Sequence, residues 1–352
     1  MLTFASGLRK LLVSAAGFAF VVALVLTPAP LLCQTAVTGA GASFPAPIYA
    51  KWLDTYRKVQ PGVQINYFPI GSGGGIRQIL EAGADFGATD GPLNDRQLQG
   101  FRDSRGFGIL HLPTVLGAAV PAYNLAGVGE LNFTPDALVG IYLGRVAHWD
   151  DQVLRESNPK ANLPHQPIVV LHRSEGSGTT YVWSEYLSKV SDEWKSRVGK
   201  GFSVNWPVGL SARGNDGIAS LIAKTPCSMA YVELAYALEK HLAYGRVRNS
   251  SGNFVKADLA GVEAAAAQVP ANDQGDFRFS ITNAAGKDAY PIASFSWLLI
   301  PAKIQDAAKR KAIVDFVRWA LTDGQAMTQE LAYGRLPQRI VSRELTVIST
   351  IQ

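Results

Sequence analysis

Ile168-Val169-Val170-Leu171-His172-Arg173-Ser174-Glu175-Gly176-Ser177-Gly178-Thr179-Thr180 holds a strand, a glycine turn and the opening of a helix in one sweep. Its first four residues are apolar without alternation, as expected of a strand buried on both faces. After the turn, Val182, Tyr186, Leu187 and Val190 recur on one side of a helix. A buried strand feeding straight into an amphipathic helix is the repeating unit of an α/β fold.

The alternation continues in both directions. Ile48, Trp52, Tyr56 and Val59 mark a helix over 47–60, and Val63, Ile65 and Tyr67 alternate like a strand. Residues 76–81 return to helix and 85–88 to a short strand. Near the end, 295–300 reads as another buried strand, and Ala307–Leu321 as a helix with Ile313, Phe316, Val317 and Ala320 inward. The pattern predicts α/β lobes with largely parallel sheets. Residues 264–267 are helix-forming alanines, 249–253 form a turn, and no internal repeat is present. The 352 residues, 47% of them apolar, exceed one comfortable core and favour two globular lobes. With 17% charged residues and no long polar tract, nothing suggests a disordered arm.

Arg9 and Lys10, an apolar run over 11–26 and Thr27-Pro28-Ala29-Pro30 have the layout of a secretory signal peptide, assigned to residues 1–35. The competing reading, a retained membrane span, is cut short by the two prolines. Leu31-Leu32-Cys33 looks a little like a lipoprotein processing site, but Leu32 is not small. Soluble release is therefore expected rather than a lipid anchor at Cys33. That leaves Cys227 alone, in a segment 227–232 that reads as buried strand, where the thiol packs. A lone thiol makes neither a disulfide framework nor a metal cluster. Of 33 basic and 28 acidic residues, only Arg9 and Lys10 precede residue 35, so the processed chain carries 31 against 28, or +3. That excess suits an anion and is too diffuse for nucleic acid.

Three segments place small hydrogen-bonding residues where a helix begins, and a helix N-terminus is an anion site. In Gly39-Ala40-Gly41-Ala42-Ser43-Phe44-Pro45-Ala46-Pro47, Ser43 either caps the helix or turns its hydroxyl to a ligand. In Gly71-Ser72-Gly73-Gly74-Gly75, backbone amides can point inward as a nest, although the Lys-Ser/Thr ending of a P-loop is missing. In the third, Arg173 offers a planar fork of donors, Ser177 and Thr179 offer hydroxyls, Gly178 an unobstructed amide, and Glu175 a partner for Arg173. A capped helix with a surface ion pair is the plain alternative. Asp90, in Phe86-Gly87-Ala88-Thr89-Asp90-Gly91-Pro92, is either a turn residue or an acceptor for a proton still carried by the ligand. Phosphate has such a proton near neutral pH and sulfate has none, so Asp90 can separate the two. Asn215 and Asp216 read as helix caps before a helix starting near Gly217.

At these residues the chain resembles the periplasmic phosphate-binding proteins of bacterial phosphate ABC transporters. The resemblance runs through 38–49, the 71–75 loop, 85–90, 141–144, 173–180, 214–218 and Tyr333-Gly334-Arg335-Leu336-Pro337, essentially the whole processed chain. It implies a two-lobed, type II periplasmic-binding-protein fold with a hinge and an interlobe cleft. Lobe I would combine 36–115 with 291–352, and lobe II would be 116–290. It implies inorganic phosphate held by Ser43, Phe44, Ser72, Asp90, Arg173, Ser177, Gly178 and Thr179, with no catalytic residue, metal or cofactor. It further implies a monomer in the periplasm that delivers phosphate to an inner-membrane permease of two subunits, with ATPase subunits on the cytoplasmic side. The family often has Thr at position 43 and Asp at position 175, so Ser43 keeps the hydroxyl and Glu175 adds a methylene beside Arg173.

Three rival readings make definite demands. A phosphatase or serine hydrolase would need a nucleophile elbow, and Ser174-Glu175-Gly176-Ser177-Gly178 lacks its first glycine. The histidines (His111, His148, His165, His172 and His241) are scattered, with His172 read as strand-end structure. A binder of sulfate or molybdate would be repelled by Asp90. An adhesion protein would need an exposed apolar patch away from the cleft.

Overall fold

The computed structural model describes residues 34–269 and 276–352. The signal-peptide reading, apart from Gln34 and Thr35, and the Cys33 anchor reading lie outside these residues. The strands are β1 (Thr35–Gly41), β2 (Val63–Phe68), β3 (Phe86–Thr89), β4 (Ile109–Asn124), β5 (Asn132–Phe133), β6 (Val169–Arg173), β7 (Leu210–Ala212), β8 (Ser228–Glu233), β9 (Ala243–Tyr244), β10 (Arg246–Arg248), β11 (Phe254–Val255) and β12 (Ala293–Pro301). The helices are α1 (Ala46–Val59), α2 (Ser72–Leu80), α3 (Asp95–Arg105), α4 (Pro135–Tyr142), α5 (Gln152–Ser157), α6 (Gly178–Val190), α7 (Asp192–Arg197), α8 (Gly214–Lys224), α9 (Leu234–Glu239), α10 (Leu259–Ala266), α11 (Ala307–Leu321) and α12 (Gln338–Ile348). None of the described helices is long and apolar enough to cross a membrane.

The strands pair in the order β2-β1-β3-β12-β4-β8-β6-β7, with β9 also on β4, and a small sheet runs β11-β10-β5. On the flanks the pairing is parallel, β1 with β2 and β3, and β6 with β7 and β8. At the centre it is not: β12 is antiparallel to β3 and β4, and β4 to β8. The expectation of largely parallel sheets therefore holds only at the flanks. A mostly apolar strand pattern reports burial on both faces, which β12 has, and carries no information on strand direction. β4 changes partners along its length, pairing through Ala118 with β12 and from Ala119 with β8.

Several boundaries moved for physical reasons. α2 begins at Ser72, inside the glycine run, directly after the turn that Gly71 makes at φ +91°. Cys227 lies just before β8 in a left-handed turn at φ 59° and is partly exposed, not within the strand. Its carbonyl accepts the Trp149 indole N–H at 3.0 Å and the Val169 N–H at 3.0 Å. The 249–253 turn closes a β10–β11 hairpin, with Asn249 Oδ1 accepting two backbone N–H groups at 3.1 Å.

This topology sets the site. β1, β2, β3, β6 and β7 all end where the chain turns toward α1, α2, Asp90, α6 and α8, and open α/β sheets bind ligands at such carboxyl ends. The α6 end is held rigidly from below. Trp183, Tyr231, Tyr142 and Trp206 interlock beneath it, with ring centroids 5.3 to 6.0 Å apart. Such pairs add about 0.5–1.5 kcal/mol each beyond simple burial.

Candidate anion-binding site

Arg173 closes β6 and is buried, only 4% exposed. Its Nε donates to Glu175 Oε1 at 3.0 Å, and Nη2 also bonds that oxygen. Nη1 donates to Thr179 Oγ1 at 3.2 Å and Nη2 to Ser43 Oγ at 3.1 Å. The Arg173 N–H is taken by Tyr231 Oη at 3.0 Å, which ties the end of β6 to β8. Burial opposes ionisation of Glu175, but the guanidinium beside it outweighs that and holds its carboxyl below the usual range. The Gly214 N–H adds a further bond to Glu175 Oε1 at 3.0 Å. The pairing expected of Arg173 and Glu175 is thus present, and it leaves a buried cation with a fixed plane.

Ser43 is not a cap. The residue before α1 is Pro45, with no side-chain bond to the helix, and the Ser43 hydroxyl instead accepts from Arg173 and from Asn215 Nδ2 at 3.2 Å. Ser177 does cap α6, accepting the Thr180 N–H at 3.1 Å. The Gly178 and Thr179 N–H groups, being in the first turn, have no carbonyl within the helix to bond. Phe44 is fully buried, and its carbonyl lies 2.6 Å from Tyr333 Oη.

Asp90 follows β3 directly, 1% exposed, and α3 is capped by Asn94 instead. Its Oδ1 accepts from Ser296 Oγ, and its Oδ2 lies 3.4 Å from Ser72 Oγ. Ser72 Oγ also takes the Asp90 N–H at 3.2 Å. Burial drives the Asp90 carboxyl upward; the Ser296 hydroxyl, the Arg173 charge and the Ser72 hydroxyl offset part of this, and it settles at about 7. Gly178 packs against this carboxylate: a Cβ there would sit 2.2 Å from Asp90 Oδ2 and 2.3 Å from Ser72 Oγ. The turns themselves touch, Gly73 N–H donating to Gly176 O at 2.9 Å.

Six of the eight candidate residues form two adjoining groups, with Phe44 and Ser177 beside them in sequence. Ser43, Arg173 and Thr179 are hydrogen-bonded together, as are Ser72 and Asp90 with Gly178 against them. Consecutive residues Gly178 and Thr179 join the groups. Two contributors were missed. Asn215, read as a cap, is fully buried in the first turn of α8 and bridges Ser43 and Thr179, with Nδ2 3.1 Å from Thr179 Oγ1. Its neighbour Asp216 instead pairs with Lys240. Ser296 holds Asp90, and Ser294 on the same face of β12 donates to the Asp90 carbonyl at 3.3 Å. Two hydroxyls at alternate positions of an otherwise apolar strand were the available signal.

The described residues contain no group of three His, Cys, Asp or Glu that could hold a metal. A planar cation, a helix N-terminus and several hydroxyls, with one buried acid among them, suit an oxyanion that retains a proton. Residues 31–323 match the family model described as the PBP superfamily domain. The chain is 41% identical over 309 residues to the phosphate-binding protein PstS of Xylella fastidiosa, covering 87% of this chain and 83% of the relative. It belongs to the family of PstS phosphate-binding proteins.

The phosphate-binding protein PstS of Methanocaldococcus jannaschii is 36% identical over 347 residues, spanning 92% of this chain and 87% of its own. The solved phosphate-binding protein of Stenotrophomonas maltophilia superposes with a TM-score of 0.67 at 17% identity, covering 89% of this chain and 94% of that one. The fold is that of the periplasmic binding proteins. The PstS family is one of binding proteins, not enzymes, which closes the hydrolase alternative.

Proposed function

We propose that this chain captures inorganic phosphate outside the cytoplasm and hands it to the permease of an ABC transporter. The observation that carries the reading is the joint burial of Arg173, fixed by Glu175, and Asp90, held by Ser296 and Ser72. Arg173 supplies the charge-assisted bonds that a dehydrated oxyanion needs. The Phe44, Gly178 and Thr179 amides and the Ser43, Ser72, Ser177 and Thr179 hydroxyls complete the donor shell. Asp90 accepts the P–O–H hydrogen, and a fully ionised sulfate meets the same carboxylate as bare repulsion.

The anion is held between two lobes, one combining 36–115 with 291–352 and the other 116–290. The change of partners along β4 supports that division, because one continuous strand then serves both. Closure excludes water and strengthens each bond, in the hinge mode of periplasmic binding proteins. The chain acts as a monomer in the periplasm after loss of its leader, and the closed form is what two permease subunits with cytoplasmic ATPase partners recognise. A thermal-shift panel of oxyanions tests the ligand. Phosphate raises the melting temperature with concentration, as mass action requires, and sulfate leaves it unmoved. Equal shifts from both anions would overturn the assignment.

A further inference from the structure

Glu233 ends β8 and caps α9, its Oε2 accepting the Ala235 N–H at 2.9 Å. The same oxygen lies 3.1 Å from Tyr333 Oη, which lies 2.6 Å from the Phe44 carbonyl. A carbonyl only accepts, and a phenol has one hydrogen. The shorter contact takes that hydrogen, so the longer one is a hydrogen bond only if the carboxyl supplies a proton. We infer that Glu233 stays protonated in the folded protein and donates to Tyr333, forming a chain Glu233–Tyr333–Phe44 that sets the Ser43–Phe44 turn from behind the anion site. Glu233 is thus a positioning residue, and its role in binding rests on the phosphate reading above.

Burial and a nearby carboxyl favour the neutral acid and outweigh the Ala235 N–H on Oε2, which favours the ionised form. Glu233 is fully buried, and its Oε1 has no hydrogen-bond partner. From β4, Gly117 faces Oε1, close enough that a Cβ would sit 3.4 Å away. From α8, Asn215 Oδ1 accepts the Glu233 N–H at 3.2 Å. The ionisable groups facing Glu233 are Asp90, Tyr236 from α9 and Tyr333, with Arg173 acting on Tyr236 beyond. Burial pushes the Glu233 carboxyl well above its usual range, and Asp90 adds to the push. An ionised Glu233 would be a second buried negative charge behind an incoming anion.

The two phenols act on consecutive carbonyls. Tyr236 donates to Ser43 O at 2.6 Å and Tyr333 contacts Phe44 O at the same distance. Because the peptide is planar, holding Ser43 O also fixes the direction of the Phe44 N–H. Glu233 completes the second of these clamps.

Infrared difference spectra between Asp90→Asn and Asp90→Asn/Glu233→Gln, taken above neutral pH, isolate this carboxyl. A protonated-acid C=O stretch that disappears with Glu233→Gln and shifts with Tyr333→Phe is the expected result. In the otherwise wild-type protein, phosphate calorimetry should show Glu233→Leu weakening binding about tenfold more than Glu233→Gln, since leucine leaves Tyr333 without its donor. A spectrum holding only a carboxylate band for Glu233, or equal losses for the two variants, would overturn the inference. Should Glu233→Leu fail to fold, the infrared result decides. Failure of the phosphate reading would appear separately, as wild-type protein giving no phosphate heat while the infrared band persists.

Discussion

Asp90→Asn changes one atom at the point where the site departs from simple charge matching, and its consequences can be worked in both ligand-free and bound protein. The Asp90 carboxyl sits at about 7 in the fold against an ordinary 3.8. A carboxyl raised on folding stabilises the fold fully only below its unfolded value, and that contribution is lost as pH rises through the folded one. The difference of about three units is a ceiling of roughly 4 kcal/mol of lost stability above neutral pH. Asparagine carries no such loss but disturbs the bond from Ser296, which offsets about 1–2 kcal/mol. Ligand-free Asp90→Asn should therefore match or fall below wild type near pH 4 and exceed it increasingly toward pH 8. Phosphate binding moves the other way: an amide N–H facing P–O–H removes one hydrogen bond and adds a clash of donors, about 1–3 kcal/mol or roughly 5- to 150-fold in affinity. Thermal melts across pH and parallel calorimetry read both effects. Unchanged phosphate affinity, with a melting-temperature difference flat in pH, would show that Asp90 neither accepts the ligand's proton nor titrates on folding.

Other variants test single parts of the site by calorimetry. Gly178→Ala puts a methyl 2.2 Å from Asp90 Oδ2, so phosphate binding should fall by two orders of magnitude or more while helical content is kept, about 3 kcal/mol of overpacking. Arg173→Lys keeps the charge but loses the fork to Ser43, Thr179 and Glu175, and should weaken binding roughly 10- to 100-fold. Asn215→Ala leaves the buried Ser43 and Thr179 hydroxyls short of a partner and should lower stability by about 1–3 kcal/mol in chemical denaturation, with weaker phosphate binding.

The parts of the site legible in the sequence were those written within a few residues. The 168–180 segment announced β6, its turn and α6 because strand burial, glycine and helical spacing follow one another there. Asp90 and Arg173 stood out because each was chemically odd or well suited at a turn. The contacts that tune them come from far along the chain: Ser296 lies 206 residues from Asp90, and Tyr333 lies 289 from Phe44. No local period encodes such a pairing. Asn215 was misread because Gly214 and Asp216 around it look like an ordinary helix start, and only the packing of α8 against Ser43 and Thr179 shows where its amide goes. Strand direction at the centre was hidden for a related reason. β12 reaches its neighbours after a long return, and burial alone does not say which way it runs.

The most direct test of the account is paired calorimetry of phosphate and sulfate on the purified wild-type chain, stripped of any carried-over ligand. Saturable phosphate binding with no measurable sulfate heat is the result predicted from Arg173 and Asp90 sharing one buried site. Saturable sulfate binding of similar strength, or no phosphate binding at all, would contradict it.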